Sequence, residues 1–162
     1  MLIRTACPAD FPRIRDLDLG PGMTTERDTV YAVFFRLFPE LCLVAEEAET
    51  EGEDGTLLGF ALGALSSDHQ ESYLHDLWVA PEHRGHGVGH ALMDHYLAVS
   101  RELGASRVSL VTKGAARYYE EKFGFVRAKP SDDPYVPELE RHRGFCILIR
   151  RLAWDGGLPG TQ

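Results

Sequence analysis

Long hydrophobic runs are missing from this 162-residue chain, since no stretch longer than the 13 residues from Gly55 to Ser67 is free of charge, and that excludes a membrane-spanning helix. Cysteine is scarce. Cys7, Cys42 and Cys146 are odd in number, far apart and without C-x-x-C spacing, which argues against a disulfide framework or a zinc site. Cys42 and Cys146 lie in apolar, strand-like runs, and buried reduced thiols are expected. No Lys-Ser or Lys-Thr pair occurs, so the chain has no P-loop. Positive charge is in deficit: 17 Lys and Arg face 25 Asp and Glu, for a net charge of −8 and a pI near 5.3. An acid excess repels nucleic acid and is compatible with a cationic small amine. The first residues, Met1 to Thr5, lack the hydrophobic stretch of a secretion signal, so the cytoplasm is the expected compartment.

What remains is ordinary for a globular domain: 44% apolar and 26% charged residues, enough for one core over residues 1–152, with 153–162 expected as a disordered tail. The informative feature is a joint. Tyr73-Leu-His-Asp-Leu-Trp-Val79 reads as a β-strand that Pro81 ends, and Arg84-Gly-His-Gly-Val-Gly89 follows. From Val88 on, Leu92, Met93, Tyr96, Leu97, Val99 and Leu103 recur at helical spacing, with Gly104 as the stop. The glycine loop therefore opens a helix. Its backbone N–H groups and the helix dipole, about half a positive charge, suit a diphosphate.

Spacing narrows the ligand. In a dinucleotide G-x-G-x-x-G the third glycine falls at His90, and the acid expected some twenty residues beyond Gly89 is Ser109. What the loop does spell is R-x-x-G-x-G, from Arg84, Gly87 and Gly89. With that loop, the strand-like Arg107-Val-Ser-Leu-Val-Thr112, the run Ala115-Ala-Arg-Tyr-Tyr119 and Gly124-Phe125, the chain resembles the GCN5-related N-acetyltransferases, closely over residues 73–126 and in element order outside them.

The resemblance implies a mixed α/β fold: a twisted, mostly antiparallel sheet of six to seven strands with a splayed parallel pair, flanked by about four helices. It also implies acetyl-CoA as the acyl donor and direct attack by an amine in a ternary complex. Coenzyme contacts then fall on Leu77, Trp78 and Val79 beside the pantetheine arm and on Arg84, Gly85, His86, Gly87, Val88 and Gly89 around the diphosphate, with Tyr118 as a further contact and Thr112 either contacting the arm or capping the following helix. The strand motif is nearest to polyamine- and arylalkylamine-type members.

The chemistry sets its own requirements. An amine with a pKa of about 10.4 is almost wholly protonated at neutral pH, so a base is useful, and the departing thiolate needs a proton. His75 occupies the strand position at which polyamine-type members carry a catalytic Glu, and an imidazole can accept a proton near pH 7. Strict alternation puts Tyr73, His75, Leu77 and Val79 on one face and Leu74, Asp76 and Trp78 on the other; Glu71 or an Asp acting through water is the alternative base. Tyr119 matches the family tyrosine that approaches the coenzyme sulfur, although it lies five residues before Gly124 where four is usual, which leaves Tyr118 as an alternative. His83, His86, His90 and His95 invite a metal reading, but they lack a further ligand at fixed spacing, and none is expected.

Elsewhere, Leu2 to Thr5 reads as a strand and Pro8 to Leu19 as a helical segment, with a break at Gly20-Pro-Gly22. A helix from Thr24 carries Val30, Val33, Phe34, Leu37 and Phe38 on its apolar face. Leu41 to Glu46 and Leu57 to Leu65 form a hairpin with an acidic tip; Phe125 to Ala128 and Phe145 to Leu152 are strands, with a Pro- and acid-rich loop at 130–143, where a homodimer partner is expected to touch. Tyr31, Phe34, Phe35 and Phe38 read as core packing. A non-catalytic acyl-CoA-binding module, or an enzyme acting on protein N-termini or lysines, is the alternative to a small-molecule acetyltransferase.

Overall fold

The computed structural model describes residues 1–18, 27–47 and 55–153. The expected break at Gly20-Pro-Gly22, the helix start at Thr24, most of the acidic hairpin tip and the tail beyond residue 153 lie outside the described residues. Among the described residues, seven strands form one sheet: β1 (Leu2–Thr5), β2 (Cys42–Glu46), β3 (Leu57–Leu65), β4 (Glu71–Val79), β5 (Arg107–Thr112), β6 (Val126–Arg127) and β7 (Cys146–Arg151). Their spatial order is β1-β2-β3-β4-β5-β7-β6, antiparallel throughout except for β4 beside β5. Among the described residues there are five α-helices, one more than expected: α1 (Asp10–Arg15), α2 (Arg27–Leu37), α3 (Val88–Glu102), α4 (Ala116–Phe123) and α5 (Val136–Arg143).

Alternation along the strands sorts the core into two layers. On β2, Leu43 and Ala45 face the cluster that α3 completes with Val88, Leu92, Met93, Tyr96 and Leu97, while Cys42 and Val44 face the cluster that α1 and α2 complete with Ile14, Tyr31 and Phe34. Each large apolar side chain buried this way contributes about 1.5–3 kcal/mol before entropy is counted. On α2 the buried positions are Tyr31 and Phe34, whereas Val33 and Leu37, expected on the apolar face, are exposed. The helix is turned so that Tyr31 and Phe34 pack on the sheet, and there the Tyr31 hydroxyl meets a carboxylate of β4.

Two further departures have local causes. The 130–143 segment contains α5, since Pro137 sits in the first turn, where a missing N–H costs nothing, and Val136 and Leu139 pack on Ala128, Ile147 and Ile149. Of the cysteines, Cys42 and Cys146 are buried but Cys7 is exposed. Burial, helped by Glu40, pushes the Cys42 thiol up to about 12, which makes it inert as a nucleophile at neutral pH.

At the sheet edge, Asp10, with 1% of its side chain exposed, takes hydrogen bonds from Arg4 (2.7 Å), Arg13 (3.0 Å) and the Cys7 backbone (2.8 Å). Arg4 also reaches Glu46 on β2 at 2.7 Å. Burial alone would raise the Asp10 carboxyl, but the Arg4 and Cys7 hydrogen bonds hold it at about 2.

Candidate active site

The site begins where two parallel strands part. β4 and β5 pair only from Glu71 to Tyr73 against Arg107 to Ser109, while β5 goes on pairing with β7 as far as Thr112. From Leu74 onward β4 therefore has one edge without a strand. The Ala80 N–H donates to Leu58 on the β3 side at 2.9 Å. By alternation, the peptide groups of Val79 and Leu77 point to the open edge.

The open edge leads to the start of α3. Pro81–His83 forms a single 3-10 turn, and Gly85 and Gly87 then take φ of 78° and 86°. Such angles cost an L-residue strain that glycine avoids. The first helical hydrogen bond runs from Ala91 to Gly87 at 3.0 Å, so the N–H groups of Val88, Gly89 and His90 project from the helix end. Among the described residues no side chain caps this end, and its first turn holds no acid. The Arg84 Nε donates to the Val79 carbonyl at 3.0 Å, which folds the guanidinium stem against the strand end.

A cleft of about 590 Å³ runs along this edge, lined by Leu77, Trp78, Val79, Arg84, Gly85, Gly87, Val88, Gly89, Tyr118 and Tyr119. Three further lining residues, His83, His90 and Lys122, escaped the sequence reading. Lys122 was findable, because it lies one helical turn beyond Tyr118 and shares its face. His86 and Thr112 do not line the cleft: His86 is exposed, and the Thr112 hydroxyl accepts the Ala115 N–H at 3.2 Å in the turn into α4. The arrangement fits a coenzyme with a diphosphate and an extended arm, since backbone donors cluster at one end and an unpaired strand edge runs along the other.

Helix α4 brings both tyrosines to the cleft. A Cβ placed on Gly89 would lie 3.4 Å from the Tyr118 hydroxyl, so that phenol stands over the start of α3. Tyr119 lies deeper, against Phe123 and Phe125. Burial, with the charges of Tyr118 and Asp76 added, pushes its phenol up to about 12. The additional residue before Gly124 is taken up at the helix end, where the Phe125 N–H reaches back to the Tyr119 carbonyl and Gly124 turns the chain at φ 66°.

His75 stands on the other side of β4, outside the cleft lining. The register of β3 on β4 steps from Leu62 opposite Asp76 to Gly63 opposite Leu74, so His75 is the additional residue of a β-bulge. Strict alternation fails there, and His75 and Asp76 both turn toward α2. The imidazole lies 4.9 Å from the Phe34 ring and 5.9 Å from Tyr73 between centroids. Asp76 accepts the Tyr31 hydroxyl at 2.5 Å. Leu74, Leu77 and Val79 pack on the α3 side, and Trp78 stacks on Phe60 on the α2 side.

The bulge is held from behind. The Ser100 hydroxyl donates to Ser72 (2.9 Å), Ser72 to Tyr96 (2.8 Å), and Tyr96 to the Tyr73 carbonyl (2.9 Å), all between α3 and β4. A Cβ on Gly63 would collide with the Tyr96 hydroxyl and the Tyr73 carbonyl, so only glycine lets β3 approach here. Glu71, the alternative base, is occupied by Arg107 (Nε at 2.7 Å) and the Ser109 hydroxyl. Among the described residues, no group of three or more His, Cys, Asp or Glu could hold a metal ion, and no helix is long and apolar enough to cross a membrane.

Comparison with known proteins places this geometry. A streptothricin acetyltransferase of Streptomyces lavendulae is 44% identical over 59 residues, 36% of this chain and 31% of the relative. The N-alpha-acetyltransferase 40 of Saccharomyces cerevisiae is 32% identical over 109 residues, 60% of this chain and 38% of the relative. The chain thus spans about a third of the length of these curated relatives. Among solved structures, Rv2747 from Mycobacterium tuberculosis, crystallised in complex with CoA and NLQ, superposes with a TM-score of 0.67 at 21% identity, covering 94% of this chain and all of the other, and so shares the fold. The acetyltransferase (GNAT) family model matches residues 11–125, most of the chain, and the protein belongs to that family.

Proposed function

We propose that this protein transfers an acetyl group from acetyl-CoA to a primary amine, small molecules being the favoured acceptors, by direct attack in a ternary complex. One observation carries the reading: an unpaired strand edge runs into an uncapped, glycine-lined helix N-terminus, in a single cleft. Acetyl-CoA supplies an activated acyl group as a thioester. The N–H groups of residues 85–90 hold its diphosphate with the Arg84 guanidinium alongside, and the Leu77 and Val79 peptides hydrogen-bond its arm as a strand would. The Val79 N–H polarises the thioester carbonyl.

His75 accepts the amine proton as the C–N bond forms and the C–S bond breaks. The thiolate that leaves is met by Tyr119. A phenol held at about 12 stays neutral through the physiological range, and it is a poor acid toward a thiol of pKa about 8.5. Tyr119 therefore acts as a hydrogen-bond donor to the sulfur, and the thiolate takes its proton from solvent.

The acceptor class has two supports that point different ways. The Tyr73 to Val79 motif and likeness to a streptothricin acetyltransferase favour small amines. Likeness to the N-alpha-acetyltransferase 40 favours a protein N-terminus. Thiol release from acetyl-CoA, followed with streptothricin, spermidine, tryptamine, lysine and a peptide with a free N-terminus, separates them. Saturation at micromolar to low millimolar levels by one of the small amines is the expected result. Turnover confined to the peptide overturns the small-molecule reading, and turnover with none of them favours a non-catalytic binding module.

A further inference from the structure

The bulge in β4 places two ionisable side chains together on the α2 side, and only one of them has a role so far. The Asp76 Oδ2 lies 3.9 Å from the His75 Nε2, too long for a hydrogen bond but within ion-pair range. The same oxygen accepts the hydroxyl of Tyr31, which is fully buried on α2. The rings of Phe34 and Tyr73 flank the imidazole, whose side chain is 25% exposed. Among the described residues, the groups next to His75 pack against it or hold the carboxylate beside it.

We propose that Asp76, anchored by the Tyr31 hydroxyl, is the positioning carboxylate of His75, fixing the ring and stabilising the imidazolium formed when His75 takes the proton of the attacking amine. The proposal rests on the reading of His75 as the base. Its physical content is preorganisation. A positive charge appears on the imidazole during the reaction, and a fixed negative charge already stands beside it, so nothing has to reorganise at that moment. Tyr31 matters because a carboxylate that swings away loses that effect. Its buried hydroxyl spans from α2 to β4 and pins the oxygen nearest to His75. The arrangement also biases the tautomer electrostatically: an N–H at Nε2 is favoured over a lone pair facing the carboxylate 3.9 Å away, so the neutral ring should carry its proton on Nε2 and leave Nδ1 as the acceptor.

Among the described residues, the titratable groups around the imidazole are Asp76 and Tyr73 on its own strand and Tyr31 on α2, with Tyr119 of α4 reached electrostatically by the same carboxylate. Each can be altered conservatively. The test uses the full chain saturated with CoA, with histidine ring nitrogens labelled by ¹⁵N and the His75 signal assigned by its loss in His75→Gln. Wild type should show the Nε2–H tautomer of His75; Asp76→Asn should shift the population toward Nδ1–H, and Tyr31→Phe part of the way.

With the amine turned over fastest in the acceptor panel, Asp76→Asn should lower kcat about 30-fold and Tyr31→Phe about 5-fold, each with acceptor KM within about 3-fold, a loss of the size that misplacing a reacting group brings. Tyr31→Phe keeps the test alive if Asp76→Asn does not fold. An unchanged tautomer with wild-type kcat in both variants overturns the proposal, as does a raised acceptor KM with kcat intact in Asp76→Asn, which would make Asp76 an anchor for the amine. If His75→Gln keeps wild-type kcat, the base assignment falls and this proposal with it. If His75→Gln is inactive while Asp76→Asn and Tyr31→Phe behave as wild type, this proposal alone falls.

Discussion

Replacing Gly87 by alanine separates what the glycine loop does for the fold from what it does for the coenzyme. Gly87 has φ 86°, and a Cβ built on it meets nothing within 4 Å. The protein therefore bears only the strain of a left-handed alanine, about 1–2 kcal/mol. At this chain length each kcal/mol lowers the melting temperature by about 2–4 °C. A matched control lies at the other end of α3, where Gly104 has φ 95° and an equally open Cβ position. Gly104→Ala should melt as Gly87→Ala does. The two should part on coenzyme binding, because only Gly87 lines the cleft. A methyl group at the helix end pushes the diphosphate off the backbone donors, and losing one hydrogen bond to a charged group costs about 1.5–3 kcal/mol, or about 10- to 150-fold in Kd. Calorimetric titration of CoA into the three proteins reads this directly. Equal affinities in Gly87→Ala and Gly104→Ala would refute the placement of the diphosphate at this turn.

Other outcomes follow from the same geometry. His75→Gln should lower kcat by about 10²- to 10⁴-fold with CoA affinity unchanged, as removal of a general base does, checked by steady-state kinetics and calorimetry. Tyr119→Phe should cost about 10- to 150-fold in kcat, the worth of one hydrogen bond to a charged group, because a phenol at about 12 does not give up its proton; a loss beyond about 10³-fold would mean full proton transfer. For Asp10 the folded value lies near 2, below the ordinary 3.8, so its stabilisation is present above about pH 4 and is lost as pH falls through about 2. Wild type should lose about 2 kcal/mol over that window in urea titrations and Asp10→Asn should not. Trp78→Phe should change stability by about 1 kcal/mol or less in urea, since it deletes a buried indole N–H that has no partner among the described residues.

The parts of this molecule legible in its sequence are those in which local chemistry and tertiary packing agree. The glycine loop, its preceding strand and the α3 face from Leu92 to Leu97 follow from side-chain periodicity, and the splayed parallel pair follows from the family likeness those residues carry. Where a contact distant in sequence decides the local geometry, the reading failed. His75 and Asp76 share a face because Gly63, thirteen residues upstream of Asp76, allows a bulge, and no pattern within β4 announces it. Val33 and Leu37 are exposed because the face of α2 that packs on the sheet is the one carrying Tyr31 and Phe34, with Tyr31 meeting Asp76 across 45 residues. The helix α5 was hidden by its composition: two apolar side chains in VPELERHR give too weak a period, and Pro137 reads as a breaker unless its first-turn position is known. Of the two uses open to Thr112, coenzyme contact and the start of the next helix, its hydroxyl serves the second, accepting the Ala115 N–H in the turn into α4.

The central claim is that a coenzyme lies along the free edge of β4 with its diphosphate on the start of α3. Backbone amide NMR of the ¹⁵N-labelled chain titrated with CoA tests it most directly. The amides of Leu77, Val79, Gly85, Gly87, Val88 and Gly89 should shift together and saturate with one dissociation constant, while those of β1 and α5 stay in place. Saturable shifts confined to other elements, or no shifts at all in the folded protein, would contradict the account.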